Sequence, residues 1–215
     1  MSELLLYVGN KNYSSWSMRP WLALKAADIP FRDEVIPFDF PGGNTAIKAV
    51  SETGKVPLLV HGGFKVWESL AIIEYAAELY PDAGIWPGDR KARARARSVS
   101  MEMATGFQAL RNACPMNLRH TPQQLEVGSD VLANLARITT IWKECLADSG
   151  GPFLFGAFSA ADAMYAPVVS RFMSYMLPVD DVSAAYMSAV AGHAAFQAWA
   201  ADAAKETWVV PEDEV

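Results

Sequence analysis

Cysteine is nearly absent: the 215 residues contain only two, Cys114 and Cys145. They form no CxxC pair and join no Cys/His cluster at metal-ligand spacing, so neither a disulfide framework nor a metal site is expected. That usage fits a reducing, cytoplasmic setting. Histidine is equally sparse, and His61, His120 and His193 show no catalytic arrangement; each reads as a surface or capping residue. Long apolar runs are missing too. Nothing approaches the ~20 residues that cross a bilayer, and the opening MSELLLYVG carries an acidic residue ahead of a short apolar core, so neither secretion nor membrane spanning is expected. Positive charge is also in short supply, and a net charge of -6 opposes general attraction to nucleic acid. The local exception is DRKARARAR, Asp89 to Arg97. It reads as a solvated helix face, since residues two apart scatter around a helix, with a phosphate-binding patch as the alternative.

What is plentiful is hydrophobic residues, 52% of the chain, enough for the core of one large or two small domains. The first eighty residues alternate in period. LLLYVG reads as a buried strand, PWLALKAADI as a helix, FRDEVIPF as a strand and NTAIKAVSE as a helix. VPLLVHGGFKVWES then gives two short apolar runs around Gly62 and Gly63, a β-hairpin, followed by the helical LAIIEYAAELY. This predicts a βαβαββα module over residues 1–81, a Pro- and Gly-rich linker over 82–89, and an all-helical domain over 90–215. Helices are expected near Arg90–Ala113, Pro122–Asp148, Ala160–Leu177 and Ala194–Lys205, with SGGPFLFGAF as an irregular connection.

Three short stretches sit at element junctions where chemistry is possible. In NYSSWSMRPWL, Pro20 suits the first turn of a helix, with Ser17 as its N-cap. Ser14 and Ser15 then precede the cap, near unpaired N–H groups and the positive end of the helix dipole. In GKVPLL, Pro57 reads as a trans proline at an edge; a cis Val56–Pro57 bond would turn the Val56 backbone toward an extended peptide ligand. In WESLAIIEY, Ser69 is either a plain N-cap or, with the helix N–H groups, a seat for a carboxylate, while Glu68 is placed to hold an ammonium.

These three stretches, in this order and followed by a helical half, resemble the glutathione S-transferase family over nearly the whole chain. FSAADAMYAP, with Ser159 and Asp162 in Ser-x-x-Asp spacing, is similar to that family's N-capping box. The pattern around Ser14, Ser15, Trp16 and Arg19, with SLAIIEY, resembles the zeta-like branch, except that Trp16 stands where zeta enzymes carry cysteine. The resemblance implies a thioredoxin-like α/β domain plus an all-α bundle. It also implies glutathione as co-substrate and no metal, with Ser14 as first candidate for the thiol contact, Ser15 second and Tyr13 third. Lys55, Val56, Pro57, Glu68 and Ser69 would bind glutathione, joined by Gln108 and Asn112 from FQALRNACP. It further implies a cytoplasmic homodimer acting in detoxification on a small, apolar electrophile, lodged near Met101, Met103, Phe107, Cys114 and Met116. A zeta-like cis–trans isomerase of the maleylacetoacetate type is the other enzyme reading, and a non-catalytic binding module the non-enzyme one. Arg19 reads as an ion-pair partner, and Trp16 as a pocket wall or an interface residue.

Overall fold

The computed structural model describes residues 3–215; Met1 and Ser2, part of the opening stretch discussed above, lie outside the described residues. Strand β1 (Leu4–Val8) is followed by α1 (Ser15–Ala26), β2 (Arg32–Val35), α2 (Thr45–Val50), β3 (Leu58–His61), β4 (Phe64–Trp67) and α3 (Ser69–Leu79). The sheet order is β2-β1-β3-β4, with β1 parallel to β2 (Leu6 beside Asp33) and antiparallel to β3 (Leu6 beside Leu59). In β1 every second side chain, Leu4, Leu6 and Val8, enters the core, as the pleat requires. The β3–β4 hairpin turns at Gly62 and Gly63, both at positive φ, which glycine adopts without steric cost.

The remainder is helical: α4 (Arg90–Thr105), α5 (Gln108–Ala113), α6 (Ser129–Ser149), α7 (Ala160–Ser174), α8 (Asp181–Gly192) and α9 (Ala194–Ala203). The expected α/β-plus-helical architecture is therefore present, with corrections to its elements. Phe107, in the left-handed region at φ 57°, breaks the single helix expected over Arg90–Ala113 into α4 and α5. The helix expected from Pro122 begins only at Ser129. Before it the chain has no regular structure, and its Gln123 and Leu125 N–H groups bond to carbonyls at the end of α7. Helix α8 was not anticipated, although Asp180 followed by Ser183 is an N-cap signal: the Asp180 side chain accepts the Ser183 N–H at 3.1 Å.

Helix α1 packs between α3 and α7 and is buried on nearly every side. It starts at Ser15, with Ser14 as the preceding residue, so Ser17 and Pro20 are interior, not cap and first turn. Pro20 lacks the N–H that would reach back to the Trp16 carbonyl. The Ser69 hydroxyl donates to that same carbonyl at 2.7 Å, filling the gap from the first residue of α3. Ser69→Ala is expected to cost about 1–3 kcal/mol, the penalty of a buried carbonyl without a donor. Part of that cost should vanish in a Pro20→Ala background, where a backbone N–H is restored. A double-mutant cycle by chemical denaturation checks this; strictly additive losses would refute the pairing.

Two arginines of the basic run on α4 are tied up in ion pairs. Arg95 bonds to Asp148 at 2.6 Å and Glu144 at 3.0 Å, and Arg97 makes a two-pronged pair with Glu74 at 2.7 and 2.8 Å. The capping box forms at the start of α7.

Candidate active site

The junction of β1 with α1 is built around a close approach of backbone to side chains. A Cβ on Gly9 would lie 2.6 Å from the Phe38 ring and 3.1 Å from the Ser14 Cβ, so any other residue here would have to push the Phe38 ring aside. The Gly9 N–H donates to Ser17 Oγ at 3.1 Å, and the Ser14 hydroxyl donates to that same oxygen at 2.7 Å. Ser14 and Ser15 are both buried, and neither side chain caps the helix. The Tyr13 hydroxyl donates to the Glu214 carboxylate, so its proton is already committed.

A cleft of about 250 Å³ is walled by Trp16, Thr53, Lys55, Val56, Pro57, Trp67, Glu68, Ser69 and Arg111; Ser14 and Ser15, expected at the thiol, are not among the residues that line it. The five residues expected from GKVPLL and WESL are thus brought together. The Val56–Pro57 bond is cis, not the trans bond of the edge-proline reading. Glu68 is exposed and sits at φ 67°, a conformation that costs a non-glycine residue about 1–3 kcal/mol and that collects at ligand sites. Ser69 is 2% exposed, and because its hydroxyl proton goes to Trp16, what α3 offers an anion is its backbone N–H groups.

Two guanidinium groups gather on the Trp16 ring. The Arg19 guanidinium carbon lies 4.1 Å from its ring centroid and that of Arg111 4.7 Å away. Arg19 is 0% exposed, and its Nε donates to the Met164 carbonyl at 3.1 Å, but Nη1 and Nη2 have no partner among the described residues. The ion pair expected for Arg19 is absent among them. Burial first, then repulsion from Arg171 and Arg111, holds Arg19 well below the ordinary guanidinium range. Arg171, also buried, is brought down to about 10 by burial and then by Arg111. Its Nε is spent on the Cys114 carbonyl at 2.8 Å. No local motif announces this cluster, because its members stand on α1, α5 and α7.

The sequence profile of the glutathione S-transferase N-terminal domain matches residues 13–79, and that of the C-terminal domain matches residues 92–202. The chain belongs to the glutathione S-transferase family. It is 28% identical over 193 residues to the maleylacetoacetate isomerase of Mus musculus, covering 83% of this chain and 84% of that one. It is 36% identical over 108 residues to a probable maleylacetoacetate isomerase of Caenorhabditis elegans, a match spanning half of each chain. The fold superposes on a glutathione transferase homolog from Burkholderia with bound glutathione at a TM-score of 0.72 and 23% identity, covering 94% and 98% of the two chains. These relatives agree with the zeta-like resemblance, and the protein is an enzyme of the glutathione S-transferase family.

In this family member the structure also separates some of the expected residues from the cleft. Gln108 and Asn112 are exposed on α5 and do not line it; Gln108 Nε2 donates to Asn112 Oδ1 at 2.6 Å. Met103, Phe107, Cys114 and Met116 are buried in the core and Met101 is half exposed, and none lines the cleft. Burial pushes the Cys114 thiol up to about 11, which makes it a poor nucleophile. His193 does serve as a cap, accepting the Ala195 N–H at 3.2 Å. A larger apolar groove of about 790 Å³ between α6 and α8, lined by Leu146, Pro152, Val182 and Tyr186 among others, shares no residue with the cleft. Among the described residues no helix is long and apolar enough to cross a membrane, and no cluster of metal-binding side chains occurs.

Proposed function

We propose that this enzyme binds glutathione in the cleft beside Trp16 and stabilises its thiolate with the Ser14 hydroxyl for attack on an electrophilic second substrate. The observation that carries this is the placement of Ser14 immediately before α1, its hydroxyl donating to Ser17 Oγ, which also accepts the Gly9 N–H. The Ser14 proton lies on the neutral Ser17 oxygen, and a thiolate, as a charged and stronger acceptor, can draw it away. Lowering a thiol by two units from about 8.5 requires about 2.7 kcal/mol. A hydroxyl donated to an anion supplies about 1.5–3, and the start of α1 adds about 0.3–1. The Lys55, Val56, Pro57 and Glu68 side of the cleft holds the rest of the tripeptide. Turnover of chlorodinitrobenzene that depends on glutathione, abolished or strongly reduced in Ser14→Ala, tests the reading; no binding and no turnover by the wild type would leave a non-catalytic binding module.

The arginine cluster favours a second, narrower reading, isomerisation of a cis-olefinic acid such as a maleyl ketone. The thiolate adds to one alkene carbon, forming a C–S bond while the electron pair moves onto the conjugated carbonyl as an enolate. Rotation about the new single bond and expulsion of the thiolate restore the alkene as trans, with no net change in atoms or electrons. Arg111, at the cleft wall, and the unpaired nitrogens of Arg19 behind Trp16 favour a substrate bearing carboxylate over the apolar one suggested by family pattern. Arg111→Met is expected to raise KM for a maleyl ketone acid about ten- to a hundredfold. Turnover of neutral chlorodinitrobenzene should be nearly unchanged. Equal losses on both substrates would place Arg111 on glutathione instead. A homodimer, the remaining expectation, rests on the family resemblance.

A further inference from the structure

The loop that delivers Ser14 to α1 is polar yet buried: Asn10 and Asn12 are 0% exposed, Lys11 and Tyr13 5%. Much of its cover comes from the chain beyond α9. Glu206 spreads its carboxylate over two successive amides, accepting the Lys11 N–H at 2.6 Å and the Asn12 N–H at 3.0 Å. Glu214 accepts from the Tyr13 hydroxyl and from Asn117 Nδ2 at 3.1 Å. Arg119 fastens the same segment from the other side. Its guanidinium donates to the Glu206 carbonyl and, at 2.7 Å, to the Trp208 carbonyl, while its backbone N–H donates to Asn12 Oδ1 at 2.8 Å. Val210, between these anchors, is buried.

Nothing in the glutathione chemistry itself calls on these groups, but they are mechanically continuous with it. The Ser14 N–H closes on the Asn10 carbonyl at 2.8 Å, so the two amides gripped by Glu206 lie inside the turn that ends at Ser14. Without that carboxylate, two buried N–H groups must find other acceptors, and the turn has to move to let them. We propose that residues 206–214 form a strap that sets the position of Ser14, with Glu206 as a positioning residue for the reaction. This rests on the assignment of Ser14 to the thiolate.

Glu206→Gln keeps the side chain's shape but leaves one acceptor oxygen for two N–H donors. In the full-length enzyme it is expected to lower kcat at neutral pH about tenfold, since a small misplacement of a catalytic group carries a cost of this order or more. KM for glutathione should stay within about twofold, and the acidic limb of the pH–rate profile should move up by about one unit. Arg119→Gln, which loosens the strap from the opposite side, should move the same limb in the same direction. In a Ser14→Ala background, Glu206→Gln should add no further loss. If both variants lower only the melting temperature, or if the losses of Ser14→Ala and Glu206→Gln add in full, the strap is merely structural and the proposal falls. A wild type with no Ser14-dependent acidic limb would remove the Ser14 assignment and the strap together; an intact limb indifferent to Glu206 removes the strap alone.

Discussion

Asp162→Ala is expected to destabilise the protein by about 3–5 kcal/mol, a drop in melting temperature of about 10 °C or more for a chain of this size. The carboxylate is fully buried and accepts from the Leu154 N–H at 3.0 Å, the Ser159 N–H at 2.9 Å, the Ser159 hydroxyl at 3.0 Å and the Tyr186 hydroxyl at 3.2 Å. Alanine leaves all of these donors facing apolar neighbours, and with them go the start of α7 and its tie to α8. Asp162→Asn keeps one acceptor and should fall in between. Burial holds the Asp162 carboxyl up at about 6 against the pull of its donors. Between about 4 and 6 the folded chain therefore keeps a proton that the unfolded chain has released, and the stability due to this group declines as pH rises through that window, by about 3 kcal/mol in all. The gap between wild type and Asp162→Asn should accordingly be wider at pH 4 than at pH 7. Denaturant melts at the two values check the sign; a gap that grows with pH would mean that the donors outweigh burial and keep the group ionised.

Ser14→Ala should reduce kcat/KM at neutral pH about ten- to a hundredfold, the equivalent of one hydroxyl donated to an anion. The loss should shrink toward pH 9, where the thiol of glutathione ionises without help. Ser15→Ala should change little, because Ser15 takes no part in the hydrogen bonds that join Ser14 and Gly9 to Ser17. Tyr13→Phe should not mimic Ser14→Ala, since the Tyr13 proton is held by Glu214. A fully active Ser14→Ala beside an inactive Ser15→Ala would reverse the assignment within the pair.

The α/β half was legible because its signals are local. Alternation in Leu4–Val8, two glycines at the hairpin and a helical repeat in α3 each declare an element within a few residues. The helical half was less so. The break at Phe107 rests on a left-handed aromatic residue, which no propensity favours, and α8 was overlooked although Asp180 announced it. The same divide runs through the site. Lys55, Val56, Pro57, Glu68 and Ser69 could be gathered from junction motifs because a strand end and a helix start bring them together. The partner of Ser69 could not, because it depends on a gap that Pro20 leaves 53 residues earlier. The arginines around Trp16 and the grip of Glu206 on Lys11 and Asn12 are products of packing between distant segments, for which the sequence has no local sign.

The central claim concerns one proton, and ultraviolet titration of enzyme-bound glutathione near 240 nm, where the thiolate absorbs, reads it directly. The account predicts that the bound thiol ionises about two units below the free one in the wild type and close to the free value in Ser14→Ala. Equal ionisation in the two proteins, or a thiol still protonated at neutral pH in the wild type, would contradict it.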